Sequence, residues 1–237
     1  MSVHFGGRYT SVSQITGPSG FYTLWLNNEP VSVYIDQEYS GGGWACVLAN
    51  RINTGGMNNL TFQDAVNNCN YRTGASSTVV DSKSKLTTLS NYNIWLGTKF
   101  WPLLGYRVDP SNITVVQFVS TTSGTKLSGT HTKRYRWKFS GWTPTYGFSG
   151  ATAVSDETGT GSPGMYSYHA ANGFSLTTYD KDMDAYGSNC SNLYNNNPFW
   201  YGACWSGNYF AGNGYADAPY WDSSGGDYHN YGAVYIK

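Results

Sequence analysis

The chain has 237 residues and a mass of 26.0 kDa, the size of one large domain or two small ones, and enough to bury a core unaided. Only 12% of residues are charged and 14 basic side chains balance 14 acidic ones, so the concentrated positive surface that nucleic-acid binding needs is not encoded. A 40% hydrophobic and 17% aromatic composition excludes a disordered tail, and no apolar run is long enough for membrane insertion.

Residues 1–13 read as a short N-terminal arm; Met-Ser-Val-His-Phe-Gly-Gly has neither the basic nor the apolar region of a signal peptide. Strand-like runs follow at Phe21–Leu26, Val31–Ile35 and Trp44–Leu48, each β-branched or aromatic and bounded by Gly, Asn, Pro or Ser. Thr61 ahead of Phe62-Gln63-Asp64-Ala65-Val66 predicts an N-cap and a short helix ending near Asn67-Asn68. Further strands are expected at Asn93–Leu96, Thr114–Val119, Arg134–Phe139 and Ala233–Ile236. In the run 133–139, basic residues alternate with Tyr135, Trp137 and Phe139, the period-two pattern of a half-buried strand rather than of a nucleic-acid groove. Beyond Gly141 the backbone is expected to be irregular, with long Gly, Ser, Asn and Tyr stretches. The 21 Tyr, 9 Trp and 29 Gly suit a loop-rich recognition surface, and equally the turns and strands of a β-rich fold.

The sharpest local signal is Asp180-Lys181-Asp182-Met183-Asp184, three carboxylates at alternate positions, ahead of Asn189-Cys190. Left together, such charges raise one another's pKa and destabilise the fold, which a hard divalent cation relieves by taking oxygen ligands. It is not an EF-hand, since the sixth position is Ala185 and the twelfth Ser191. On charge alone, a Ca²⁺ loop and a solvated acidic turn both stand. The cysteines are Cys46, Cys69, Cys190 and Cys204; none forms C-x-x-C, and no His is spaced for zinc. Cys190 and Cys204 enclose an Asn/Tyr/Trp-rich loop beside the acidic run, and a bridge closing a loop of about 15 residues contributes about 3 kcal/mol. Cys46 and Cys69 are a second candidate pair with no diagnostic spacing.

These residues reach a resemblance. Gly173-Phe174-Ser175-Leu176-Thr177-Thr178-Tyr179-Asp180-Lys181-Asp182-Met183-Asp184, then Asn189-Cys190, Phe199-Trp200-Tyr201 and Cys204, resembles the calcium loop and second cysteine of fibrinogen-like domains. Upstream, Ser19-Gly20-Phe21-Tyr22, Val33-Tyr34-Ile35-Asp36, Gly41-Gly42-Gly43-Trp44 and Asn93-Ile94-Trp95-Leu96-Gly97 are similar to further motifs of that family, in its order, over about residues 14–237. The sequence departs from the family at Ile35, where the first disulfide would have a cysteine. It also has Trp205 after the second cysteine, where His is usual, and a shorter segment between Cys204 and Tyr215.

The resemblance implies an α+β fold: a twisted, mostly antiparallel central sheet, short helices and a loop-rich C-terminal calcium and ligand subdomain. It implies one Ca²⁺ held by the Asp182 and Asp184 side chains and the Tyr186 and Ser188 carbonyls, and a Cys190–Cys204 disulfide. As in ficolin- and tachylectin-type lectins, an acetyl-group pocket would be formed by Tyr194, Ala203, Cys204, Trp205, Tyr215 and Ala216, with a cis peptide at Ala203–Cys204. Three functions follow: a calcium-dependent lectin or adhesin for acetylated glycans, a structural or host-attachment subunit of a multi-copy assembly such as a virion, and a glycoside hydrolase. The absence of a leader and of a stalk points to the second, with copies supplied by a homo-oligomer or a larger assembly. The hydrolase ranks last, because its two carboxylates must flank a sugar about 5–9.5 Å apart, and calcium would occupy this pair. The expectation is therefore a non-enzyme, extracellular or on a virion surface.

Overall fold

The computed structural model describes residues 8–51, 57–73, 78–79, 86–104, 112–120, 126–129, 133–140, 150–156, 175–202, 204, 220–221, 227–228 and 231–237. Alternating apolar residues make β1 (Gly20–Leu26) and β2 (Glu29–Asp36) a hairpin in the register Leu26↔Glu29 to Gly20↔Ile35. Its turn is Asn27-Asn28, at φ 51° and 64°; Asn tolerates this left-handed pair, whose twist matches that of the strands. β3 (Trp44–Arg51) is buried on both faces from Trp44 to Asn50, the mark of a central strand. It pairs with β2, with β6 (Asn93–Trp95) and with β12 (Tyr231–Ile236), all antiparallel.

The remaining strands extend this sheet on both sides. β4 (Asn70–Thr73) and β5 (Thr78–Val79) lie beyond β6, while β7 (Asn112–Ser120), β8 (Lys133–Ser140) and β9 (Gly150–Asp156) lie beyond β12, giving the order β5-β4-β6-β3-β12-β7-β8-β9. The last strand in sequence thus sits in the middle of the sheet, between β3 and β7. A small separate ribbon joins β10 (Tyr220–Trp221) to β11 (Asp227–Tyr228). The seven expected strands form. The expectation of an irregular backbone beyond Gly141 is corrected by β9, a seven-residue strand fixed by its ladder with β8.

Helix α1 (Phe62–Asn67) starts where its cap predicts: Thr61 Oγ1 accepts the Asp64 N–H at 3.1 Å. Its Phe62, Ala65 and Val66 are buried, and the Trp95 indole N–H donates to the Ala65 carbonyl at 2.8 Å, pinning the helix to β6. Two further short helices, α2 (Trp101–Leu104) and α3 (Cys190–Leu193), form where the sequence carries no clear helical signal. Trp95 stacks on Trp200 at 5.9 Å between centroids, and Trp101 tilts against Trp200 at 5.6 Å, so one aromatic core joins the sheet to the C-terminal loops.

Residues 8–15 lie on the hairpin. Tyr9 bridges to Leu24, its carbonyl accepts the Trp25 N–H at 2.7 Å, and Val12 and Ile15 are buried. Residues 1–7 of the expected arm lie outside the described residues. Ile35, in the place of the family's cysteine, is completely buried, as an apolar replacement requires. Cys46 and Cys69 do not bridge each other. Cys46 is a fully buried thiol whose Sγ–H donates to the Leu48 carbonyl, and Cys69 is a half-buried free thiol.

Candidate functional site

The acidic run is held by a frame made from its own flanks. Thr177 and Phe199 exchange N–H···O bonds at 2.9 and 3.1 Å, and Thr178 and Lys181 do the same at 2.9 and 3.1 Å. Thr177 Oγ1 accepts the Met183 N–H, and the Asn189 amide donates to the Thr178 carbonyl at 2.8 Å. Small hydroxyl residues at 177 and 178 therefore close a tight loop whose far side, Ala185–Ser188, is exposed.

The three aspartates separate into distinct roles. Asp180 Oδ1 accepts the Phe62 N–H at 2.9 Å and the Thr178 hydroxyl at 2.7 Å, so it turns away from the cluster and serves the first turn of α1. Lys181 adds a second tie, with its ammonium 3.7 Å above the Phe62 ring. Asp182 is exposed, and its Oδ1 accepts the Asp184 N–H at 3.3 Å. Asp184 is half-buried; Oδ1 accepts the Tyr186 N–H and Oδ2 the Cys190 N–H, both at 2.9 Å. Burial pushes the Asp184 carboxyl pKa up; the Cys190 and Tyr186 N–H groups oppose this, and the Asp182 charge adds to it. Neither the Tyr186 nor the Ser188 carbonyl accepts a hydrogen bond among the described residues. Two adjacent carboxylates, one of them partly buried and repelled by the other, are oxygen donors of the kind a hard divalent cation takes.

Cys190 and Cys204 form a disulfide. Each sulphur lies within 4.8 Å of the Asp184 carboxylate, but a bridged pair offers no thiolate, so this trio is not a soft-metal site. Cys204 adopts φ 70°, a left-handed conformation unusual for a residue that bears a side group. The bridge and an Ala185 N–H to Gly202 carbonyl bond of 2.9 Å stitch the acidic loop to the segment ending in Cys204.

Of the expected pocket residues, the structure describes Tyr194 and Cys204. Ala203, Trp205, Tyr215 and Ala216 lie outside the described residues, as does the Ala203–Cys204 peptide. Tyr194 is 8% exposed and stacks on Tyr201 at 5.8 Å. Its loop is shaped by Asn197, unremarked in the sequence: completely buried, it accepts the Met57 N–H at 2.9 Å and donates to the Tyr194 and Asn195 carbonyls. Asn195 and Asn196, at φ 59° and 55°, supply the left-handed turn beside it. Only the Asn-rich composition of 192–197 signals this loop.

Residues 10–232 match the family model described as the C-terminal globular domain of the fibrinogen beta and gamma chains. The protein is 31% identical over 186 residues to the fibrinogen alpha chain of Gallus gallus, a match that takes in 77% of this chain but only 22% of that protein. Among solved structures, the fibrinogen-like globe domain of human ANGPTL2 aligns with a TM-score of 0.61 at 18% identity, covering 97% of this chain and 98% of that one. The fibrin D-dimer of lamprey, in complex with the peptide Gly-His-Arg-Pro-amide, aligns with a TM-score of 0.62 at 14% identity, over 95% of this chain and 70% of that one. The sheet, the disulfide and the family match agree: the protein belongs to the family of fibrinogen C-terminal globular domains, which are commonly non-enzymatic recognition domains and typically extracellular.

Proposed function

We propose that this domain is a non-catalytic, calcium-dependent recognition module for acetylated glycans. Ca²⁺ is held by the Asp182 and Asp184 carboxylates and the Tyr186 and Ser188 carbonyls. The observation that carries the reading is the half-buried Asp184 carboxyl beside Asp182, with the Tyr186 and Ser188 carbonyls accepting no hydrogen bond among the described residues. The bonds of Asp180 Oδ1 to α1 and Thr178 support two carboxylate ligands rather than three.

Next to the cation, Tyr194, Ala203, Cys204, Trp205, Tyr215 and Ala216 form a small aromatic cage. Its apolar walls take the acetyl methyl, while backbone N–H groups near Cys204 take the carbonyl. The left-handed backbone of Cys204 supports a site there, since strained conformations gather where ligands are gripped. A cage this small gives about millimolar affinity, so biological strength comes from several copies in a homo-oligomer or a larger assembly, outside the cell or on a virion surface. The lamprey relative, a fibrin D-dimer bound to a peptide, supports both assembly and ligand capture on this fold.

Calorimetry with calcium chloride tests the cation site. Uptake near one equivalent is expected, lost when Asp182→Ala and Asp184→Ala are combined. Uptake that survives the double substitution contradicts the assignment.

A further inference from the structure

We propose that Asn59 is the acceptor of an N-linked glycan, which the fold presents beside the turn that shapes the Tyr194 loop. The proposal is independent of the calcium reading and rests on the extracellular setting typical of the family. Three Asn-x-Ser/Thr triplets stand in the sequence: Asn59-Leu60-Thr61, Asn112-Ile113-Thr114 and Asn189-Cys190-Ser191. In the transfer, the anomeric carbon of a polyprenyl-diphosphate-linked oligosaccharide bonds to the asparagine Nδ2. Its bond to the phosphate oxygen breaks, the lipid diphosphate leaves with that electron pair, and the amide nitrogen gives up one proton. In the fold the Thr61 hydroxyl is committed to α1: it accepts the Asp64 N–H at 3.1 Å and donates to Asp64 Oδ2 at 2.6 Å. Transfer therefore belongs to the chain before it folds, and the fold must then tolerate what the asparagine carries.

At Asn59 it does. The residue is exposed, in a turn whose ends are held down by the buried Met57 and Leu60. Its φ of 58° is a left-handed conformation that asparagine accepts more readily than most residues. The two ends of its amide are divided: Oδ1 accepts the Asn196 side-chain N–H at 2.8 Å, while Nδ2 makes no hydrogen bond among the described residues. A sugar on Nδ2 leaves the Oδ1 bond in place, as it does the 3.0 Å bond from the Asn59 N–H to the Asn196 carbonyl. Asn189 is the opposite case. Its Nδ2 donates inward to the Thr178 and Tyr179 carbonyls, at 2.8 and 3.4 Å, and its Oδ1 accepts the Asn192 N–H at the start of α3. The next residue, Cys190, is buried and bridged. A glycan on Asn189 Nδ2 would have to occupy the frame of the acidic loop, so the fold rejects it. The third triplet opens β7, with Asn112 paired to Ser140.

The test is a peptide map of the full chain secreted from cultured mammalian cells behind a supplied leader. Peptide:N-glycosidase F removes N-linked glycans and leaves aspartate where each one stood, so every triplet is scored on its own peptide. Asn59 is expected to carry a glycan in most secreted molecules, and Asn189 none, with the Cys190–Cys204 bridge intact in the same non-reducing map. On a gel, Asn59→Gln should show one glycosylated band fewer than the unaltered protein before enzyme treatment, and the same mobility after it. Should Asn59→Gln fail to be secreted, the map of the unaltered chain still decides. An Asn59 peptide that stays unmodified in secreted, bridged protein overturns the proposal. A glycan on Asn189 in such protein overturns the structural argument that separates the two triplets.

Discussion

Asp180 illustrates how a residue's neighbours in space decide its role. In the sequence it is one of three alternating aspartates, but its Oδ1 accepts an amide N–H 118 residues away. Asp180→Ala should cost about 1 kcal/mol, as for other lost helix caps. That lowers the melting temperature by about 2–4 °C in a domain of this size. Asp180→Asn, which keeps an acceptor oxygen, should recover most of the loss, and neither variant should change calcium stoichiometry in a calorimetric titration. Loss of calcium uptake in Asp180→Asn would make it a third ligand. Cys69 gives a second case. Burial pushes its thiol up to about 11, against the bonds it makes with Gly97 and Tyr71, so almost none is thiolate at about pH 8. Iodoacetamide should label it slowly at about pH 8 and much faster as the pH approaches 11, and Cys46, fully buried, should label only on unfolding. Rapid labelling of either thiol near the lower pH would contradict their burial.

The motif Asn93-Ile94-Trp95-Leu96-Gly97 acquires a physical meaning once α1 is seen beside β6. A Cβ at Gly97 would lie 2.8 Å from the Val66 carbonyl oxygen, 2.9 Å from the Asn68 nitrogen and 3.0 Å from the Asn67 carbonyl carbon, all backbone atoms at the end of α1. Gly97→Ala should therefore destabilise the fold by about 1–3 kcal/mol, as overpacking does, read as a shift in the denaturant midpoint. A neutral substitution would mean that α1 does not rest on this turn. Where strands are apolar and bounded by turn residues, as at β1 to β3 and β12, the sequence alone reveals them. β4 is not readable there, because Asn70, Arg72 and Thr73 carry little strand signal and its place comes from pairing with β6. β9 is hidden for the same reason: Gly, Ala, Ser and Asp dominate it, and β8 supplies its ladder. In the candidate site, the acidic loop is readable from its charges. The Asn197 scaffold is not, because an amide gives no hint of which distant carbonyls and N–H groups it will join.

Across the molecule, the sheet and the C-terminal loops share one core through Trp95, Trp101 and Trp200, so the acidic loop is carried on a packed base rather than on a loose appendage. The same base holds the Tyr194 loop through Asn197 and Met57, and the bridge ties Cys204 to Cys190 at the start of α3. On the proposed reading cation and ligand act together, with calcium ordering the loop against which the acetyl cage would be built. The most direct test is a titration of N-acetylglucosamine and N-acetylmannosamine, followed by NMR or calorimetry, with calcium and then with chelator. The account predicts about millimolar binding of the acetylated sugars in calcium, much weaker binding of glucosamine, and loss of binding in chelator. A folded, calcium-loaded protein that ignores every acetylated ligand at tens of millimolar, or that binds them equally well in chelator, would contradict it.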